Sequence, residues 1–490
     1  MRLPLILATV GGLWCAVALQ AGEAQGIGSL WLRAEPFAAG STGERLPFWL
    51  SANRYGTVDP ASANAGLRLG AHRLFTDDSG FDYAVGAEVL GRASRNGTVA
   101  VHELYGRLRY GQIQITAGRR ERMAGRVDTS LSLGSVTRSR NAPPLPKVGV
   151  SSDGYVPVPG TGDGLAVRGH LSHGWLESGR FVEDALLHEK SLYLRLLPPE
   201  SAVTAHAGTV HCVQWGGTSP LFGPRDASFR KWIDIAFGGD IFARGSFNSA
   251  VEGVGANHLA MYDFSLDVDL GGARGLVYRQ FYHEDIASLW FRNEWDGLWG
   301  VGLRHTDRPA LVEALLWEHF RLTRQNARFS AGEERGADRA YNHSIYRGGW
   351  TYQGRTLGVP LVTPASATPG LSGGLPGIGN SIVVAHHVAV EGTLAPALSY
   401  TLYGTYSRNY GAQGVCETPR CENRADRRTG RRDQWSFLAE IQGTLPVAKG
   451  LSYNAAVAVD TGEFYEERVG LRFGLTWRRA YGTEKSAPSR

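Results

Sequence analysis

The end of the chain alternates with a period of two. Val469, Leu471, Phe473, Leu475 and Trp477 fall on one face, and Arg468, Gly470, Arg472, Gly474, Thr476 and Arg478 on the other. That pattern describes a strand with one apolar and one polar or glycine face. Trp435, Phe437, Ala439 and Ile441 alternate with Ser436, Glu440 and Gln442, broken only at Leu438. Leu398, Tyr400, Leu402 and Tyr406 alternate with Ser399, Thr401, Thr405 and Ser407, and Tyr453, Ala455, Val457 and Val459 make a further run. Each run is about 10 residues, enough for a tilted strand to cross a bilayer. Similar runs over residues 67–74, 83–90, 99–110, 113–118, 191–197, 259–270, 276–282 and 299–304 bring the expected strand count to the high teens.

The connections between these runs also alternate in length. Residues 409–433 form a long charged stretch, whereas 445–450 is short. If both chain ends face the periplasm, short turns belong there and long loops outside. Counting back from the last strand places 409–433 and the Gly/Pro/Ser-rich stretch 354–381 outside, and 445–450 inside. A soluble sandwich has no reason to obey that parity. The expected fold is therefore all-β: a transmembrane antiparallel barrel over residues 61–478, with plug or inward-folded loop segments. Residues 25–60 read as an N-terminal lead or plug, residues 479–490 as a polar tail, and Asn141-Ala-Pro-Pro-Leu-Pro146 as a loop or plug segment.

Composition agrees. Glycine makes up 64 of 490 residues and aromatics 10%, the signature of strands, tight turns and bulges. Met1-Arg2 followed by the apolar run Leu3–Leu19 and small residues near Ala24 reads as an export signal over residues 1–24. No later segment approaches the ~18 uninterrupted apolar residues of a spanning helix. The 51 basic residues include five lysines (147, 190, 231, 449 and 485), so 51 − 5 = 46 are arginine, a residue suited to carboxylates, phosphates and aromatic faces. A net charge of +5 over this length, without a basic helix or zinc-finger spacing, gives no reason to expect a nucleic-acid partner. In an exported chain Cys416 and Cys421, five residues apart around a proline, are expected to form a small disulfide loop, and Cys212 to be buried and inert.

Sugar binding needs aromatic faces to stack on rings and planar polar groups to bridge hydroxyls. Asp338, Arg339, Tyr341, Asn342, His343, Tyr346, Arg347, Trp350 and Tyr352 supply both within fifteen residues, with the arginines suited to acidic sugars. Asn293, Asp296 and Trp299 form a second aromatic and polar cluster. The competing reading for both is a hydrogen-bonded network that orders the lumen. His170 and His173, and the pair His386-His387, lack further ligands at suitable spacing, so neither a metal nor a cofactor is expected. An outer-membrane phospholipase would use Ser and His. Here Asn342-His343-Ser344 places them side by side, which on a strand sends them to opposite faces. No catalytic role is expected.

Several blocks resemble the capsule-assembly Wzi family of outer-membrane proteins: Leu46-Pro-Phe-Trp-Leu-Ser-Ala-Asn-Arg-Tyr-Gly56, the stretch Ser139–Pro146, Leu187-His-Glu-Lys-Ser-Leu-Tyr-Leu-Arg195, Val213-Gln-Trp-Gly-Gly217 and Asp296-Gly-Leu-Trp-Gly-Val-Gly-Leu303. Gly336–Tyr352, running on to Leu357-Gly-Val-Pro360, completes the series. The blocks lie in family order over roughly residues 46–362. The resemblance implies an 18-stranded outer-membrane barrel with a helical plug that acts as a lectin for capsular polysaccharide at the cell surface. Its implied partners are surface polysaccharide, outer-membrane lipid and the outer-membrane insertion machinery. The alternative is a channel or porin for small solutes.

Overall fold

The computed structural model describes residues 30–76, 80–152, 154–237, 255–284, 293–306, 309–324 and 339–481. The expected export signal, residue Asp338 and the tail beyond Tyr481 lie outside the described residues. Eighteen long antiparallel strands and the two-residue extension Val156–Pro157 form one closed sheet. In chain order they begin with β1 (Leu30–Ser41), β2 (Asn64–Arg73), β3 (Phe81–Ala93), β4 (Thr98–Tyr110), β5 (Ile113–Arg119) and β6 (Pro146–Ser152). Next come β7 (Leu165–Trp175), β8 (Leu186–Leu196), β9 (Val203–Trp215), β10 (Asn257–Asp269), β11 (Ala273–His283) and β12 (Gly297–His305). The sheet ends with β13 (Ala314–Leu322), β14 (Val383–Ala395), β15 (Leu398–Cys416), β16 (Arg424–Thr444), β17 (Leu451–Gly462) and β18 (Arg468–Tyr481).

Closure comes from β1 pairing with β18, from Leu30 opposite Tyr481 to Ser41 opposite Gly470. The segment 25–60, expected to precede the barrel, thus contains its first strand, and the barrel runs from Leu30 to Tyr481. Two residues hide β1 from a pattern search. Pro36 has no N–H, and the pairing with β18 skips Glu35 and Pro36. Phe37 points inward, over Gly66 of β2. Residues 42–60 do enter the lumen, through the four-residue helix α1 (Phe48–Ser51). The helical plug that the resemblance implied is here mostly irregular chain.

The faces fall as the alternation requires. On β18 Val469, Leu471 and Phe473 are exposed outward while Arg468, Gly470 and Arg472 are buried inward. Phe81, Tyr83, Val85 and Val89 of β3 belong to the same apolar outer surface, with Asp82 and Glu88 inside. Glycines let aromatic rings lie flat across the inner face. Tyr193 covers Gly208 and Tyr278 covers Gly300, positions where a Cβ would collide with the ring. A bulge in β4 gives it one extra residue opposite Glu88 and Val89, so the neighbours His102 and Glu103 both face inward.

Both ends of the strand series lie at one rim, where the links include 111–112, 270–272 and 396–397. The opposite rim carries 42–63, 120–145, 216–256 and 323–382. The length parity read from the sequence therefore holds. One long loop does not exist as such: most of 409–433 is a continuation of β15 and β16, which pair up to Cys416 opposite Arg424. Beyond the bilayer neither face need be apolar, so that part of the hairpin carries no amphipathic signal.

Phe473 is 51% exposed on the outer belt. Phe473→Arg should cost about 2–4 kcal/mol if it lies near mid-bilayer and should block assembly. The variant should be missing from the heat-modifiable barrel fraction of outer membranes. Normal recovery there would contradict a lipid-facing β18.

Candidate functional site

Three long links from the far rim fold inward and interlock in the lumen. From 42–63, Trp49 donates its indole N–H to Thr405 Oγ1 at 3.1 Å, and Arg54 pairs with Glu440 at 2.7 Å. From 120–145, Ser132 Oγ and the Leu133 N–H both donate to Glu318 at 2.6 Å, and Tyr278 donates its hydroxyl to the same carboxylate. The Val136 N–H donates to Gln280 Oε1 at 3.0 Å, and the Leu131 carbonyl bonds His387 Nε2 at 2.9 Å. The same segment reaches the terminal rim, where Asp128 meets Arg304 at 2.9 Å. Asn141-Ala-Pro-Pro-Leu-Pro146 belongs to this plug, and the Asn141 amide donates to the Thr356 carbonyl at 3.0 Å.

The third link contains the aromatic block. Its rings are packed in: Tyr341 is 0% exposed, Trp350 1% and Tyr352 1%. Trp350 donates its indole N–H to the Thr137 carbonyl at 2.8 Å, Tyr341 its hydroxyl to Val136, and Tyr346 its hydroxyl to the Gly216 carbonyl at 3.1 Å. Asn342 Nδ2 donates to the Ile378 carbonyl and Asn342 Oδ1 accepts from the Ile378 N–H, both at 2.9 Å. Burial pushes the Tyr341 hydroxyl far above the ordinary phenol range, with Glu284 adding to the effect. These groups clamp the block onto the plug and leave no ring face free for a sugar.

Apart from the two-residue strand Thr351–Tyr352, the block is irregular chain. His343 and Ser344 are therefore not divided by strand geometry. Instead His343 Nδ1 accepts the N–H groups of Ile345 at 3.1 Å and Tyr346 at 3.3 Å, which occupies the nitrogen a base would use. Burial, with His258, Arg424, Arg339 and Arg225 nearby, lowers its pKa to about 3.

The cationic side chains sit differently. Arg347 donates to the carbonyls of Cys421 and Glu422 and to Ser344 O, and its guanidinium lies 5.7 Å from the ring centres of Phe181 and Phe222. Arg424 donates to His343 O at 3.0 Å. Gly414 packs on the stem of Arg339. Arg339, Arg347 and Arg424 therefore gather at the far mouth beside the disulfide joining Cys416 and Cys421. By contrast Arg427, Arg428 and Arg431 on the projecting hairpin pair with Glu417, Asp426 and Asp433.

The second cluster anchors loops. Asp296, fully buried, accepts the N–H groups of Thr323 and Arg324 at 2.9 Å, and Asn293 donates to the Tyr282 carbonyl at 3.1 Å. Trp299 lies under the Arg279 guanidinium at 4.5 Å. The two clusters meet at Tyr282, whose carbonyl accepts from Asn293 and whose ring lies edge-on to that of Tyr341, 5.8 Å between centres. His387 faces the lumen, while His386 packs by Trp317 and His319, so the pair cannot share a ligand. The sequence reading missed a carboxylate and histidine group, Glu88, His102 and Glu121, close enough to hold a metal ion. Arg68 already bonds Glu88 at 2.6 Å and Glu121 at 3.0 Å, so a fixed cation serves these acids. Only the bulge brings His102 inward, and no sequence signal marks it. Cys212 is free and buried.

The family described as capsule assembly protein Wzi matches residues 49–365, more than half of the chain. No curated protein matches it by sequence. Among solved structures it is similar to Escherichia coli Wzi, an outer membrane protein involved in group 1 capsule assembly and a carbohydrate-binding β-barrel. The TM-score is 0.56 at 14% identity, over 96% of this chain and 87% of that one. It also matches Pseudomonas aeruginosa OccK5 (OpdH), TM-score 0.46 at 9% identity, over 92% of this chain and 98% of that one. Pseudomonas aeruginosa OpdQ gives 0.44 at 8% identity, over 92% and 98%. At such identities the likeness is one of fold.

Two predictions test the clamp. Glu318→Ala leaves the Leu133 N–H and two hydroxyls without their acceptor, at a cost of roughly 3 kcal/mol or more. Protease should then cut within 120–145, and single-channel recordings should show openings absent from the parent. For His343 the folded pKa, about 3, lies below the ordinary 6.5. The unfolded loop therefore binds the proton more readily, and stability is complete above 6.5 and lost as pH falls toward 3. Amide protection factors in 339–352, taken against the intrinsic exchange rate at each pH, should fall through that window, and the fall should be reduced in His343→Asn.

Proposed function

Because the chain belongs to the capsule-assembly Wzi family, we propose that it is an outer-membrane barrel that binds and organises surface polysaccharide, and that it grips an acidic glycan at the mouth opposite the rim where β1 begins and β18 ends. The observation that carries the reading is the group Arg339, Arg347 and Arg424. Arg347 and Arg424 are held by backbone carbonyls, which orient a guanidinium without cancelling its charge. Such a fork suits a sugar carboxylate. Phe222, 40% exposed beside Arg347, offers an apolar edge for a ring.

In this reading the candidate residues divide by role. Tyr341, Asn342, Tyr346, Trp350 and Tyr352 form the foundation that fixes the mouth. Asn293, Asp296 and Trp299 fix the neighbouring loop. Arg339 and Arg347 belong to the contact surface. The protein acts by binding, as a non-enzyme, and passage of small solutes is disfavoured by the three segments that fill the lumen. Attraction of the polyanion is screened beyond ~8 Å at physiological salt, so contact at close range decides retention.

Combined Arg347→Ala and Arg424→Ala should lower glycan retention on cells at least tenfold, about the worth of one charge-assisted hydrogen bond, while the barrel remains heat-modifiable. Trp350→Ala should instead loosen the block, at about 3–5 kcal/mol, and reduce retention only as 339–352 becomes protease-sensitive. Full retention by the double arginine variant would remove the mouth arginines from the site.

A further inference from the structure

A cavity of about 350 Å³ lies between the plug and the wall formed by β4 to β9. It runs from Arg120–Gly125 of the plug to Ser152 and Gly154 at the terminal rim, away from the mouth just described. Among the described residues its lining carries the cations Arg107, Arg120, Arg122, Arg138, Lys147, Arg168 and Lys190, and the carboxylate Glu189. Arg138, at 3.0 Å, and Lys147 already share that carboxylate. Lys190 donates to the carbonyls of Ile235 and Ala236, both at 2.7 Å, at the end of helix α2 (Phe229–Phe237).

Histidine, amide and ring neighbours surround the other cations. Arg122 meets His170, Arg107 meets Gln114, Arg168 lies 4.8 Å from the Tyr193 ring centre and 5.0 Å from that of Tyr155, and Arg120 lies 5.6 Å from that of Tyr105. Arg138, 4% exposed, keeps an Nε–H with no acceptor. Burial and the neighbouring Arg138, Arg168 and Arg120 lower Arg122 to about 10, against the pull of Glu189. Gathering like charges away from bulk water is costly unless a counter-charge joins them. The volume suits one sugar-sized group.

We infer that this cavity binds a small anion, a carboxylate or phosphate borne by a sugar-sized ligand, entering from the rim where β1 begins and β18 ends. Arg122 and Arg168 provide the principal forks. The site is separate from the glycan-binding mouth, and its test does not depend on that reading.

The purified full-length barrel in detergent is melted with increasing inorganic phosphate, or glucuronate, against chloride at matched ionic strength. At least one anion should raise the melting temperature saturably, and the better arm identifies phosphate or carboxylate as the preferred group. Arg122→Gln and Arg168→Gln should each weaken the apparent affinity about tenfold. Arg431→Gln, on the projecting hairpin, should leave it unchanged. If a glutamine variant fails to fold, Arg168→Lys keeps the charge and should still weaken binding by losing the fork. No saturable shift with either anion, or an unchanged shift in folded Arg122 and Arg168 variants, overturns the inference.

Discussion

Everything in this molecule follows from the seam between Leu30–Ser41 and Arg468–Tyr481. Within hydrocarbon an unpaired backbone N–H or carbonyl costs several kcal/mol, so a sheet can cross only if it has no edge. Closing eighteen strands fixes which face meets lipid and forces every second residue into a lumen wide enough to need filling. The polar side chains placed there must then find partners in one another or in chain folded back from the rims. Glu318 illustrates the result: a wall carboxylate with a tyrosine from the wall and two donors from the plug.

The middle of the lumen is organised by charge pairing. Arg472 reaches Glu35 at 3.1 Å across the seam, Arg468 reaches Asp460 at 2.8 Å, and Arg54 of the plug reaches Glu440. Such pairs add little net stability, because both partners lose water. Removing one partner strands the other, so they penalise any shifted strand pairing or displaced plug. Arg468 and Arg472 lie inward on the closing strand itself, with partners on β17 and β1. The seam and the lumen network thus depend on each other.

The strands that face lipid on one side and the lumen on the other were legible because that asymmetry writes a period of two. The sign disappears where it stops applying. Above the bilayer the hairpin around Arg427–Arg432 is polar on both faces, so it reads as a loop although it is strand. In β1 a proline and an inward phenylalanine break the rhythm. The block from Arg339 to Tyr352 was legible as a dense set of aromatic and polar groups, and the same set serves either to grip a sugar or to lock a loop. Composition cannot divide these uses, because the decision lies with residues far away in sequence: Thr137 for Trp350, Val136 for Tyr341 and Gly216 for Tyr346. Arg339 and Arg347 stood out as partners for an acidic sugar, whereas Arg122 and Arg168 did not. Whether a guanidinium meets a carboxylate, a carbonyl or a ring is settled only by the closed fold.

That distinction gives the charge distribution its meaning. The net charge of +5 is small for 490 residues and gives little sense of strong fields. Mid-lumen arginines are largely cancelled by acids, and the hairpin arginines by Glu417, Asp426 and Asp433. Among the described residues, Arg347 and Arg424 at the mouth meet backbone carbonyls, and Arg122 and Arg168 in the terminal-rim cavity meet a histidine and aromatic rings. The interlocked plug stands between them, anchored to both the wall and the block. In the proposed reading, a flexible polyanion drawn to one group meets that plug before it can reach the other. The arrangement suits two separate encounters with anionic ligands, one on each side of a closed barrel, better than it suits conduction through it.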